Sequence, residues 1–84
     1  MKHVKVYSTL FCGYCIRAKQ FLQSKNIPFE EIDLSFSDGQ RHEFVRTYNW
    51  RTVPVIFIGE KFIGGYEELL ALDRSKELDA LLQD

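Results

Sequence analysis

The chain has 84 residues, 45% of them hydrophobic, and a formal net charge of -1, which bounds it to one domain, residues 1–84, with a modest core. The balanced charge removes the broad electrostatic footprint of a nucleic-acid binder, and no run of like charges marks a tail or a membrane patch. The stretch Met1-Lys2-His3-Val4-Lys5-Val6-Tyr7 is too interrupted for a signal peptide or a membrane span, so a cytoplasmic protein is expected.

His3 to Tyr7 reads as a short strand whose β-branched and aromatic content suits a buried central position, with Ser8 to Phe11 as the loop after it. A helix is predicted from Gly13 to Ser24. Its inner stripe is Cys15, Ala18 and Leu22, joined by Ile16 and Phe21, with Arg17, Lys19, Gln20 and Gln23 outside. Lys25-Asn26 ends the helix, Pro28 blocks its continuation, and Phe29 to Leu34 resumes an extended pattern. A strand-helix-strand unit of this kind makes its strands parallel and its crossover right-handed. Ser35 to Gly39 reads as a turn, and Gln40 to Asn49 as a shorter, more polar helix with Phe44, Val45 and Tyr48 at helical spacing. Thr52-Val53-Pro54 breaks it. Val55 to Ile58 is then a buried strand, Gly59-Glu60 a two-residue hairpin turn and Lys61 to Ile63 the antiparallel partner, with Gly64-Gly65 ending the sheet. From Tyr66 onward Leu69, Leu70, Leu72, Leu78, Leu81 and Leu82 supply a helical stripe, with a break near Asp73 to Lys76. This order indicates a three-layer α/β domain.

Chemistry concentrates in Phe11-Cys12-Gly13-Tyr14-Cys15. Just ahead of a helix, Cys12 faces unpaired backbone N–H groups and the positive end of the macrodipole, which favour thiolate over thiol. Cys15 projects from the same side one turn later, so the two sulfurs can close a disulfide or bind one metal. The loop between them constrains little of the unfolded chain, and reactivity explains the pair better than stapling does. Two cysteines do not make a disulfide scaffold, and in a reducing compartment such a pair is catalytic or metal-binding. His3 and His42 lack the paired spacing of a zinc finger, so no structural metal is expected.

Taken together, Cys12-Gly13-Tyr14-Cys15, Thr52-Val53-Pro54 and Gly64-Gly65-Tyr66-Glu67-Glu68 resemble, in the right order, the three signature segments of glutaredoxins. Leu69-Leu70-Ala71-Leu72-Asp73 extends the likeness into the last helix, so that it covers essentially the whole chain. The resemblance implies a thioredoxin-like three-layer fold with a four-stranded mixed β-sheet flanked by helices. It also implies a glutathione-dependent oxidoreductase in which Cys12 is the nucleophile and Cys15 the resolving thiol, acting on glutathionylated or disulfide-containing proteins. Implied glutathione contacts are Tyr14 at the groove rim, Thr52, Val53 and Pro54 around a cis Val53–Pro54 bond, and Gly65, Tyr66 and Glu67 at the γ-glutamyl end. Glu68 is read as structural, and Tyr48 and Trp50 as aromatics capping the core outside the site. One departure stands out: many glutaredoxins carry Lys three residues before the first Cys, whereas this chain has Thr9. The cation for the glycyl carboxylate then falls to Arg41 or Arg51.

Two rival functions accompany this reading. Gly13 stands where Pro is commoner, and relatives with a small residue there share a 2Fe–2S cluster between two subunits through Cys12 of each chain and two glutathiones; without a cluster the chain is expected to be a monomer. The other rival is a redoxin fed by thioredoxin reductase that donates electrons to ribonucleotide reductase.

Overall fold

In strand β1 (Val4–Ser8) of the computed structural model, which describes residues 1–84, Val4, Val6 and Ser8 are buried while Lys5 and Tyr7 are half-covered. Side chains alternate across a strand, so the two sets face two different layers. β1 pairs in parallel with β2 (Glu30–Asp33) and antiparallel with β3 (Val55–Ile58), which pairs antiparallel with β4 (Lys61–Gly64). The sheet order β2-β1-β3-β4 is the mixed four-stranded arrangement anticipated from the sequence, with β1 inside it.

Helix α1 (Gly13–Ser24) makes the crossover between β1 and β2, and α2 (Asp38–Tyr48) the link to β3; α3 (Tyr66–Arg74) and α4 (Leu78–Leu82) complete the chain. On one face Val4, Val6, Ile56 and Ile58 meet Ala18 and Leu22 of α1, Leu69 of α3, and Leu78 and Leu82 of α4. The other face carries a smaller cluster in which Leu34, Phe44 of α2 and Val55 pack with Tyr7, Phe57 and Phe62. Two helical layers around one sheet give the thioredoxin-like three-layer fold.

The turns follow local chemistry. Asn26 and Lys76 adopt left-handed φ of 58° and 65°, ending α1 and separating α3 from α4. Gly59, at φ 60°, lets the hairpin close with Ile58 opposite Lys61. Further along the hairpin Phe57 faces Phe62 and Ile56 faces Gly64, so Ile63 is an extra residue, a bulge at the end of β4.

Three expectations need correction. Ser8 does not open the loop but continues β1: it pairs with Asp33, and its carbonyl accepts from the Leu34 N–H at 2.7 Å. α2 starts at Asp38 rather than Gln40, because an acidic residue suits the first helical turn and Gly39 there is tolerated. Ile16 leaves the buried stripe and is 48% exposed, since the step of one residue from Cys15 swings it away from the sheet. No helix is long and apolar enough to cross a membrane.

Candidate active site

Cys12 occupies the N-cap of α1 with extended backbone, φ -103° and ψ 111°. An N-cap side chain turns back over the first unpaired N–H groups. Here the Cys15 N–H donates to the Cys12 sulfur at 3.3 Å, and the Cys12 thiol donates to the Val53 carbonyl at 3.7 Å. The loop reaches this position through Phe11, which has φ 60° and a fully exposed ring.

Cys15 lies in a different environment although it is one turn away. It is 1% exposed, and both thiols are free. Burial, followed by the hydrogen bond with the Cys12 sulfur, pushes the Cys15 thiol up from 9.0 to about 12, against the smaller opposite pulls of the Thr9 backbone and the Lys19 charge. One sulfur is therefore presented at a helix end and the other holds its proton beneath it.

Beside Cys12, the loop Thr52-Val53-Pro54 forms one wall of a cleft whose opposite wall is Gly65, Tyr66 and Glu67 at the start of α3. The Val53–Pro54 bond is cis. Tyr14 stands at the rim, its ring 6.2 Å from that of Tyr66 and the Arg17 guanidinium 5.5 Å from its centre. Gly64, at φ 115°, is a position where a Cβ would come within 2.9 Å of the Glu68 side chain. The Gly65 N–H donates to Glu68 Oε1 at 2.9 Å, so Glu68 acts as the cap of α3. The N–H groups that follow, at Tyr66 and Glu67, lie in the first turn, where no intrahelical acceptor exists.

Arg41 is not in that cleft. It lines an adjoining one with Arg51 and His42, and the two clefts share Trp50, Thr52 and Val53 as a common wall. Arg51 donates to Asn49 Oδ1 at 2.9 Å, whereas Arg41 enters no ion pair. Trp50 corrects its reading as a core cap alone. It packs edge-on against Phe62 at 5.5 Å and also walls both clefts, with its buried indole N–H unpaired. Its place two residues before Thr52 was the available signal. Tyr48 stacks on Phe62 at 4.3 Å, away from both clefts.

A further cleft opens on the other side of the thiols, lined among others by Cys12, Cys15, Lys19, Glu31 and Asp33. Glu31 Oε2 accepts from Lys19 Nζ and from Ser8 Oγ, each at 2.7 Å, and these bonds hold its carboxyl below the usual carboxylate range. Lys19 was expected on the outer face. Its spacing of four residues from Cys15 was the signal that the two share a side of the helix. His3 pairs with Glu30 at 2.8 Å on the far end of the sheet, and nowhere are three His, Cys, Asp or Glu side chains grouped to hold a metal ion.

Comparison with known proteins agrees with this geometry. The glutaredoxin family model matches residues 4–63. A glutaredoxin of Pseudomonas aeruginosa is 48% identical over 82 residues, covering 98% of both chains. Glutaredoxin 3 of Escherichia coli is 40% identical over 83 residues, 99% of this chain and 100% of its own. Among solved structures, the buckwheat glutaredoxin-glutathione complex superposes with a TM-score of 0.87 at 33% identity, covering 94% of this chain and 74% of that one. Fold and paired thiols define a thiol-disulfide oxidoreductase of the thioredoxin-like class. Within that class, the chain belongs to the glutaredoxin family.

Proposed function

We propose that this chain is a cytoplasmic, glutathione-dependent thiol-disulfide oxidoreductase that reduces protein-glutathione mixed disulfides through Cys12 alone and protein disulfides through Cys12 and Cys15. The observation that carries the reading is that the Cys12 sulfur touches the Val53 carbonyl at the edge of a cleft ending on the N-terminus of α3. Glutathione is an extended peptide with a carboxylate at each end. The Val53 backbone offers strand-like pairing, the first N–H groups of α3 suit the γ-glutamyl carboxylate, and the unpaired Arg41 suits the glycyl carboxylate. The glutathione complex of the buckwheat relative supports this choice of ligand.

In the first route, the Cys12 thiolate attacks the glutathione sulfur of a mixed disulfide. A Cys12-glutathione disulfide forms as the bond to the protein sulfur breaks, and the released protein thiolate takes up a proton. A second glutathione thiolate attacks the same glutathione sulfur, returning Cys12 and releasing oxidised glutathione. With a protein disulfide, Cys12 first forms a mixed disulfide with the substrate. Cys15 then attacks Cys12 and frees the substrate, and two glutathiones reduce the resulting Cys12–Cys15 disulfide.

Glutathione-driven reduction of a glutathionylated peptide, coupled to glutathione reductase, tests the reading. Cys12→Ser loses turnover. Cys15→Ser keeps it but loses reduction of a protein disulfide, and a Cys15→Ser enzyme inactive on both substrates sinks the Cys12-only route.

Gly13 supports a second reading. Gly13 puts no side chain next to the partly exposed Cys12, while burial withdraws Cys15. Each chain thus offers one thiolate, a donor set that fits a 2Fe–2S cluster when two chains and two glutathione thiolates contribute together. A brown, glutathione-dependent dimer isolated anaerobically supports that reading. Turnover with thioredoxin reductase and ribonucleotide reductase, but none with glutathione, supports the redoxin instead.

A further inference from the structure

Ser8 is the single buried polar side chain of the chain, 3% exposed, at the position where β1 would place a third inward residue after Val4 and Val6. Burying a hydroxyl costs free energy unless it is bonded, and an apolar residue would fill the space as well. Its hydroxyl goes to the same Glu31 oxygen that holds Lys19, so two elements of the sheet, β1 and β2, fix one lysine of α1. Exposed ion pairs contribute little to stability, and a buried serine spent on anchoring one is not explained by stability.

The anchored lysine shares a cleft with the thiols. Lys19 follows Cys15 by one turn on the same side of α1, and both line the cleft that also holds Cys12, Glu31 and Asp33. Of these charged groups, Lys19 is the one whose charge acts on the Cys15 thiol in the direction of thiolate. That is the species required when Cys15 attacks, and the long side chain reaches it at little entropic cost because its head is already fixed.

We propose that Ser8, Glu31 and Lys19 form a positioning unit that holds the Lys19 ammonium beside Cys15 as the counter-charge for its sulfur during attack on a Cys12 mixed disulfide. The step it serves is an exchange: the Cys15–Cys12 bond forms, the bond from Cys12 to the substrate sulfur breaks, and the substrate leaves as a thiolate, with glutathione as the leaving thiolate when it stands in for the substrate. The proton Cys15 gives to solvent equals the one the leaving thiolate takes up, and no net oxidation occurs. The unit therefore weighs on the two-thiol route more than on the Cys12-only route, which needs no thiolate at Cys15. This inference rests on the proposed role of Cys15 as the attacking thiol.

Two rates on the same protein test it at one neutral pH. Intramolecular release of glutathione is followed from enzyme pre-loaded as the Cys12-glutathione disulfide, and Cys12-only turnover is followed on a glutathionylated peptide. Lys19→Met, which keeps the apolar stem, is expected to slow the release about threefold more than it slows turnover, since the lost thiolate fraction is partly offset by the higher nucleophilicity of a less acidic thiol. Lys19→Arg restores most of the release, and Glu31→Gln, which loosens the anchor without shortening it, shifts the ratio in the same direction by less. Equal losses in both rates, or an arginine variant no better than methionine, overturn the inference. Wild-type enzyme that turns over the peptide yet shows an unchanged ratio in the variants rejects the unit alone, whereas wild-type enzyme with neither activity rejects the functional reading beneath it.

Discussion

Cys12 and Cys15 are three residues apart, yet solvent and hydrogen bonding divide them. Cys12 is half-exposed with a backbone N–H donating into its sulfur, while Cys15 is closed under the helix. That division has a thermodynamic signature. Folding raises the Cys15 pKa from 9.0 to about 12, with burial the leading cause and the Cys12 sulfur the next. Between these values the unfolded chain sheds a proton that the native chain keeps. The stability carried by this group is therefore whole below pH 9 and declines as pH rises toward about 12. Chemical unfolding under reducing conditions across this window is expected to give a shallower alkaline decline for Cys15→Ser than for wild type. The two slopes differ by up to about 1.4 kcal/mol per pH unit if one whole proton is involved. Parallel curves would mean that the buried thiol gains water or a partner and is not held protonated.

At the scale of elements, the start of α3 does two jobs with neighbouring residues. Glu68 closes the helix end by accepting at 2.9 Å from the N–H of Gly65, a buried residue. Glu67, one residue earlier, is exposed and lines the cleft without a partner of its own. Glu68→Ala leaves that buried N–H unsatisfied, a loss of about 1–2 kcal/mol and so a fall in Tm of roughly 4–16 °C for a domain of this size. Glu67→Gln is expected to leave Tm within a degree or so, since surface substitutions away from such features barely move stability, and to raise the KM for glutathione. Calorimetry and steady-state kinetics on the pair separate cap from ligand contact. A Glu67→Gln protein as unstable as Glu68→Ala would make both residues structural.

For the molecule as a whole, what the sequence disclosed depended on whether a residue acts locally. Strands and helices with a clear period, such as Val4-Val6 or Ala18-Leu22, were legible, as were the stops at Asn26, Gly59 and Lys76, because each is decided by neighbours in the chain. Ser8 was misplaced since a hydroxyl looks like a loop residue until Glu31 is brought beside it across the sheet. Trp50 and Lys19 were misread for the same reason: an aromatic near a helix end and a lysine on an outer face gain their positions at the clefts from topology. The groove itself joins segments about forty residues apart, and the likeness of its three motifs to a family, not their local chemistry, made it legible. Topology also decides how firmly each half is held. α1 buries Cys15, Ala18 and Leu22, whereas α2, which carries Arg41, buries Phe44 alone. Phe44 is held edge-on by Tyr7 at 4.9 Å within the smaller of the two cores. Phe44→Ala removes an interaction worth about 3–5 kcal/mol from a domain whose total stability is on the order of 4–13 kcal/mol. The loss falls on a helix whose other aromatic hold is the partly exposed Tyr48, stacked on Phe62 at 4.3 Å, so α2 should open separately. Hydrogen exchange is expected to show protection falling further across Asp38–Tyr48 than across Gly13–Ser24, with glutathione binding weakened while small reagents still alkylate Cys12. A uniform fall over both helices would show instead that the two cores open as one cooperative unit, and that the arginine cleft is as rigid as the thiols it adjoins.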